Sequence, residues 1–145
     1  MRRRNTVDTT VHQEEVVGQM CPFLLAYGFP VDEYSIVVIG DTGVGKTTWA
    51  TARAPKPALL VSHMDQLKNF RPSYHKSIIF DDMSFHHLPT TGQIHLVDYH
   101  QPRAIHIRYG TVTLPKETVK IFTCNELPFT DHPAIRRRIH IINAY

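Results

Sequence analysis

Short runs of apolar, largely β-branched residues recur along the chain at positions 36–39 (IVVI), 58–61 (ALLV), 78–80 (IIF), 119–123 (VKIFT) and 139–142 (IHII). Each is too short for a helix and has a glycine, proline, serine, asparagine or charged residue within two positions of each end, the pattern of strands buried on both faces. Positions 104–108 and 111–114 alternate instead, and Tyr109-Gly110 between them predicts a β-hairpin. Helical spacing appears between the strands. From Thr10 to Tyr27, the residues Val16, Val17, Met20, Phe23, Leu24 and Tyr27 recur at threes and fours. That predicts an amphipathic helix with Thr10 near its cap, Glu14 and Glu15 in its first turns, and a kink or break at Pro22. It packs either on its own domain or between subunits. A second helix runs through Trp49, Ala50 and Arg53 until Pro55 and Pro57 end it. A short third one is expected near 64–70, opened by Ser62 or Asp65, and a fourth is capped by Thr90 or Thr91 and carries Ile94, Leu96 and Val97. Strands alternating with helices predict an α/β domain with a mainly parallel sheet over residues 35–145, preceded by a tail and helical segment over 1–34.

Composition narrows the picture. A chain of 145 residues, 42% hydrophobic, supports one core. No apolar run approaches the ~20 residues of a membrane span, so no membrane partner is expected. Arg2, Arg3 and Arg4 have no apolar run behind them and do not read as a secretory signal. Cys21 and Cys124 lie far apart and read as free thiols of a reducing compartment. A net charge of +3 fits a polyanionic partner. Among ten histidines, His86, His87, His95 and His100 invite a metal reading, but no spacing matches a zinc pattern, so they are read as solvated or structural.

The candidate chemistry starts where the first strand ends. Gly40, Asp41, Thr42, Gly43, Val44, Gly45, Lys46, Thr47 and Thr48 form G-x-x-x-x-G-K-T between a strand and a helix, the phosphate-binding loop in its proper context. Backbone N–H groups and the helix N-terminus would face the phosphates, Lys46 would reach the β/γ-phosphates, and Thr47 would meet Mg²⁺. The strand at 78–80 ends in Asp81 and Asp82; Asp81 is assigned to the metal and Asp82 to the attacking water. Asn125 ends the strand at 119–123 and suits a γ-phosphate or water sensor. Arg137 and Arg138 precede the last strand and suit stabilisation of phosphoryl-transfer charge. Arg108 and Tyr109 at the hairpin tip, with Lys116 at its far end, suit phosphate and base contacts on single-stranded nucleic acid.

In this order, the motifs resemble the superfamily 3 helicase domain of replication initiator (Rep) proteins of circular single-stranded DNA viruses, the geminivirus and circovirus type, and of related plasmid or integrated Reps. The resemblance spans about residues 36–142: Walker A with Trp49 shortly after, Walker B at 78–82, a B′ segment at 105–110, motif C at 120–125 and an arginine-finger segment at 134–139. It implies a P-loop NTPase of AAA+-like fold that binds ATP and Mg²⁺ between subunits of a ring, usually a hexamer. It also implies B′ hairpins that grip single-stranded DNA. By this resemblance Lys46, Thr47, Asp81, Asp82 and Asn125 form the ATPase site, Arg108 takes the place of the B′ lysine, and one of Arg137 and Arg138 is the finger. The expected setting is the host nucleus for a eukaryotic virus and otherwise the cytoplasm.

The chain departs from the family in having Arg108-Tyr109-Gly110 where Lys-Gly-Gly is more usual. Upstream it also lacks the His-hydrophobe-His and nucleophilic-tyrosine motifs of the nicking endonuclease domain, so the chain is expected to be either an excised domain of a longer Rep or a natural short form, with a nicking domain absent from this chain as an expected partner. Two other readings stay open: an RNA-directed ATPase of the same superfamily, and a nucleotide-dependent assembly protein that unwinds nothing.

Overall fold

The computed structural model describes residues 8–13, 19–30 and 33–144. Six strands form a sheet in the order β1-β3-β4-β7-β2-β8: β1 (Thr10–Val11), β2 (Ser35–Ile39), β3 (Ala58–Val61), β4 (Ser77–Asp81), β7 (Val119–Cys124) and β8 (Ile139–Asn143). All pairs are parallel except β1 with β3. β5 (Arg103–Ile107) and β6 (Gly110–Leu114) form a separate antiparallel hairpin.

The parallel strands are buried mostly on both faces, which is why they read as largely apolar runs without strict alternation. Their alternate residues serve two cores. On one face, Val37, Ile78, Phe80 and Phe122 pack against Phe85, Phe129, Ile105 of the hairpin and Leu96 of α3 (Thr90–Val97). Phe80 and Phe122 stack with centroids 4.5 Å apart. On the other face, Ile36, Val38, Ile79 and Ile121 pack against Trp49 and Ala50 of α2 (Lys46–Arg53) and Leu24 of α1 (Pro22–Ala26). A turn of 3₁₀ helix covers Met64–Asn69 after β3, and α4 (Pro133–Arg136) leads into β8.

The N-terminal helix expected from Thr10 onward does not form as such. Thr10 caps nothing. It pairs with Leu59, and Val11 pairs with Ala58, in an antiparallel edge strand. Thr9 adds two bonds: its carbonyl accepts from Leu60 N–H at 3.1 Å, and its hydroxyl donates to the Leu60 carbonyl at 2.6 Å. The exposed N–H and C=O groups of β3 are a strong template, and β-branched Thr-Val fits it. Glu14, Glu15, Val16 and Val17, and Arg2, Arg3 and Arg4, lie outside the described residues. Within the expected helix, α1 starts at Pro22, at the position where a missing N–H costs nothing. Two smaller expectations also shift. His63, not Ser62 or Asp65, precedes the 3₁₀ turn, and Pro89 occupies the N-cap of α3, so neither Thr90 nor Thr91 caps it. α4 is a helical turn inside what reads in sequence as a loop and arginine cluster. Among the described residues, no helix is long and apolar enough to cross a membrane.

Candidate functional site

The carboxyl ends of β4, β7 and β2 lie side by side, and open α/β sheets bind ligands outside such ends. The loop after β2 turns back over the sheet through Gly43 and Gly45, both at positive φ (92° and 95°). No side chain caps α2, so its first-turn N–H groups face outward without a partner inside the helix. The resulting hollow, about 450 Å³, is bordered by Thr42, Gly43, Gly45, Lys46, Thr47, Thr48, Asp81, Asp82, Thr123, Asn125 and Gln19.

Hydrogen bonds tie these residues together. Lys46 Nζ donates to the carbonyls of Gly40 (2.5 Å) and Asp41 (3.1 Å) and to Asn125 Oδ1 (2.8 Å). Asn125 Nδ2 lies 3.4 Å from Thr42 Oγ1. Asp81 Oδ1 accepts from Thr47 Oγ1 at 2.6 Å and from Thr123 Oγ1 at 3.1 Å. Asp82 is exposed and sits at φ 53°, its N–H donating to the Thr123 carbonyl at 2.9 Å. That left-handed backbone is uncommon outside glycine, although Asp and Asn adopt it more readily than other residues. It turns the chain sharply out of β4 and leaves the second carboxylate beside the hollow. The chemistry available is phosphate contact from the loop and Lys46, hard oxygen ligation from Thr47 and Asp81, and a free carboxylate in Asp82.

Sequence reasoning missed Thr123 and Gln19. Thr123 pairs with Asp81 across β4 and β7, a relation visible only once strand order is known. Gln19 belongs to a strap, residues 19–21, that crosses the start of α2. Cys21 N–H donates to the Val44 carbonyl at 2.8 Å. A Cβ at position 45 would lie 2.3 Å from Gln19 O and 2.7 Å from Met20 Cα. Gly45 is thus required both by its φ and by the strap. Nearby Cys124 bonds to the Val38 carbonyl, and burial pushes its thiol pKa up to about 12, so it is an inert core residue.

Arg137 and Arg138 do not join this hollow. β2 and β8 run parallel, Ser35 against Ile139 and Ile39 against Asn143. The arginines precede β8 while the phosphate loop follows β2, so a strand length of roughly 15 Å separates them. They border a second hollow of about 370 Å³ with Glu33, Tyr34, Asp98 and Arg103. Arg103 donates through Nε (2.9 Å) and Nη2 (2.6 Å) to Asp98 Oδ2. Arg138 donates to the Ala134 carbonyl at 2.6 Å. Arg137 is exposed and has no partner among the described residues. Burial would raise the Asp98 pKa, but hydrogen bonds from Arg103 and the His100 N–H outweigh it, and the carboxyl titrates below its ordinary value.

Behind Asp98 lies Lys120, 1% exposed, whose ammonium donates to the Asp98 carbonyl at 2.8 Å. Burial pulls its pKa down from 10.5 to about 8. The unfolded chain then holds this proton over pH 8–10.5 while the folded one has lost it. Stability from this group therefore rises with pH across that window. Wild type should gain on the order of 2–3 kcal/mol over Lys120→Met between pH 7.5 and 10, read from paired urea midpoints. A constant difference would mean that the folded site does not disfavour the charged lysine.

The residues expected to contact DNA are split too. Arg108 and Tyr109 close the hairpin as a two-residue turn, with Tyr109 at φ 64° doing what a glycine would do. Tyr109 is 92% exposed, and the Arg108 guanidinium lies 4.9 Å from its ring centroid. Asp65 Oδ1 accepts from the Arg108 N–H at 3.2 Å. A groove lined by Asp65, Met83, His87, Arg108 and Asp82 lies beside this tip and shares Asp82 with the first hollow. Lys116 follows β6 and sits at the far end of the hairpin. Among the described residues, no group of three or more His, Cys, Asp or Glu side chains is placed to hold a metal. The chain matches no protein-family model and no curated protein sequence.

Proposed function

We propose that this chain is an ATP hydrolase of the P-loop, AAA+-like class that works as a superfamily 3 helicase domain on single-stranded DNA, with its active sites completed between subunits of a ring. The observation that supports it is the convergence, at the carboxyl ends of three adjacent parallel strands, of Lys46 bonded to Asn125 and Thr47 bonded to Asp81. Those contacts bring together a phosphate loop, a carboxylate pair and a polar sensor that lie far apart in sequence.

In this reading the loop N–H groups take up the phosphates. Lys46 turns from the Gly40 and Asp41 carbonyls onto the terminal phosphates. Thr47 and Asp81 fit Mg²⁺, which is usually held by one or two carboxylates, waters and substrate phosphates rather than by a full protein cage. Bound there, the ion supplies neutralisation of charge developing on the transferred phosphoryl group. Asp82, free of the Thr47 contact, orients the attacking water and draws its proton, and Asn125 holds that water or the γ-phosphate oxygen. The transition-state cation must then come from another copy, because the arginine pair lies at the opposite end of the strands. Arg137 is the better placed of the two, since Arg138 is tethered to Ala134. Tyr109 offers a face for base stacking and Arg108 a phosphate contact. Arg108 and Asp82 line one groove, which supports a coupling of DNA contact to hydrolysis in this reading.

Complementation tests this. Arg137→Ala and Lys46→Ala are each expected to be inactive, and mixing them should restore part of the ATPase rate, because each supplies what the other lacks. No recovery from oligomers shown to contain both variants would overturn the shared site.

A further inference from the structure

Most of the first hollow is accounted for by phosphoryl chemistry: the loop amides and Lys46 for phosphates, Thr47 and Asp81 for the metal, Asp82 and Asn125 for the water. Gln19 has no part in that. Its strap is fixed at both ends, by the contact with Gly45 and Val44 on one side and by α1 on the other. There Leu24 is fully buried and the Tyr27 carbonyl accepts from Trp49 Nε1 at 2.8 Å and Arg53 Nε at 3.2 Å. The strap is therefore a held wall of the hollow. Gln19 lines the hollow and is exposed, and no hydrogen bond of its carboxamide is found among the described residues. At about 450 Å³ the hollow falls within the size range of sites that enclose whole small molecules, of order 300–1,000 Å³.

A carboxamide presents one donor and one acceptor side by side. The N6/N7 edge of adenine presents the complementary acceptor and donor, whereas the O6/N7 edge of guanine presents two acceptors and leaves the Gln Oε1 facing a lone pair. We infer that Gln19 forms a nucleobase subsite of the phosphate-loop hollow and selects adenine over guanine. The inference rests on the nucleotide reading proposed above, and it adds the residue that distinguishes one nucleotide from another.

Calorimetric titration of the whole chain with Mg²⁺ and ADP, GDP or inorganic pyrophosphate tests it without hydrolysis. Wild type should bind ADP about tenfold more tightly than GDP, the scale of one well-made pair of hydrogen bonds. Gln19→Ala should lower ADP affinity to the GDP level and leave pyrophosphate affinity unchanged. The substituted side chain is exposed, so the fold should tolerate the change. Equal loss for pyrophosphate would assign Gln19 to the shape of the loop and overturn the subsite. So would an ADP affinity that does not change, or a wild type that binds both nucleotides alike. Binding of none of the three ligands by wild type would instead overturn the nucleotide reading itself, and the subsite with it.

Discussion

Lys46→Ala should reduce ATP hydrolysis by a factor of about 10³ or more, measured as phosphate release per subunit with circular dichroism confirming the fold. Lys46 is the one cation among the residues bordering the first hollow, which also holds Asp81 and Asp82. In the proposed reading, removing it leaves two carboxylates beside the phosphates, with the loop dipoles and the metal at Thr47 and Asp81 as the remaining positive partners. Deleting a single aimed donor at a developing negative charge costs about 10²–10³ in rate, and here ground-state binding is lost as well. Lys46→Arg should not restore activity. The three bonds to Gly40, Asp41 and Asn125 show a compact ammonium at the centre of a tight ring of oxygens, which a planar guanidinium cannot occupy. A decrease smaller than about tenfold would remove this lysine from the chemistry.

The second large effect is on stability. Trp49→Ala should destabilise the fold by about 3–5 kcal/mol, from a total that for such domains is about 5–15 kcal/mol. Trp49 is fully buried, stacks on Phe29 with centroids 6.4 Å apart, meets Tyr27 edge-on, and donates to the Tyr27 carbonyl. Its loss opens a cavity between α2 and the sheet. It also frees the segment from Phe23 to Phe29, so the strap over Gly45 loses its anchor. Urea unfolding measures the first effect. Trp49→Phe should recover much of the packing but not the hydrogen bond. A loss under about 1 kcal/mol for the alanine variant would mean that the segment is not docked on α2 in solution.

Much of this was legible in the chain because the parallel strands carry their signal locally. Runs such as 36–39 and 78–80 are apolar without alternation, and the residues that end them, Gly40 and Asp81, have few other reasons to be there. The hairpin was legible for the same reason, although its turn is Arg108-Tyr109 rather than the expected Tyr109-Gly110, with Gly110 already in β6 and Tyr109 taking the positive φ. Where the reading failed, the deciding partner was distant. Thr10 and Val11 precede a run of helically spaced apolar residues, but the unpaired edge of β3 outcompeted that local pattern. Thr123 looks like an ordinary strand residue until β7 is set beside β4. Gln19 is invisible until the strap is seen lying on a glycine more than twenty positions later. The arginine pair was recognisable as a pair, yet only the parallel register of β2 and β8 shows that it belongs to the other end of the molecule.

That last separation has a consequence for symmetry. If the site is shared as proposed, a subunit whose acceptor and donor surfaces lie at opposite ends of the same strands can satisfy both in an antiparallel twofold dimer or in a head-to-tail row. The ring proposed above is the head-to-tail case. In that proposed arrangement an unclosed row carries one hollow at one end that lacks its arginine and one arginine pair at the other that serves nothing. Closure removes both, so the fraction of competent sites steps up when the last subunit joins, and a change that alters only the angle between neighbours would convert a closed assembly into a growing filament.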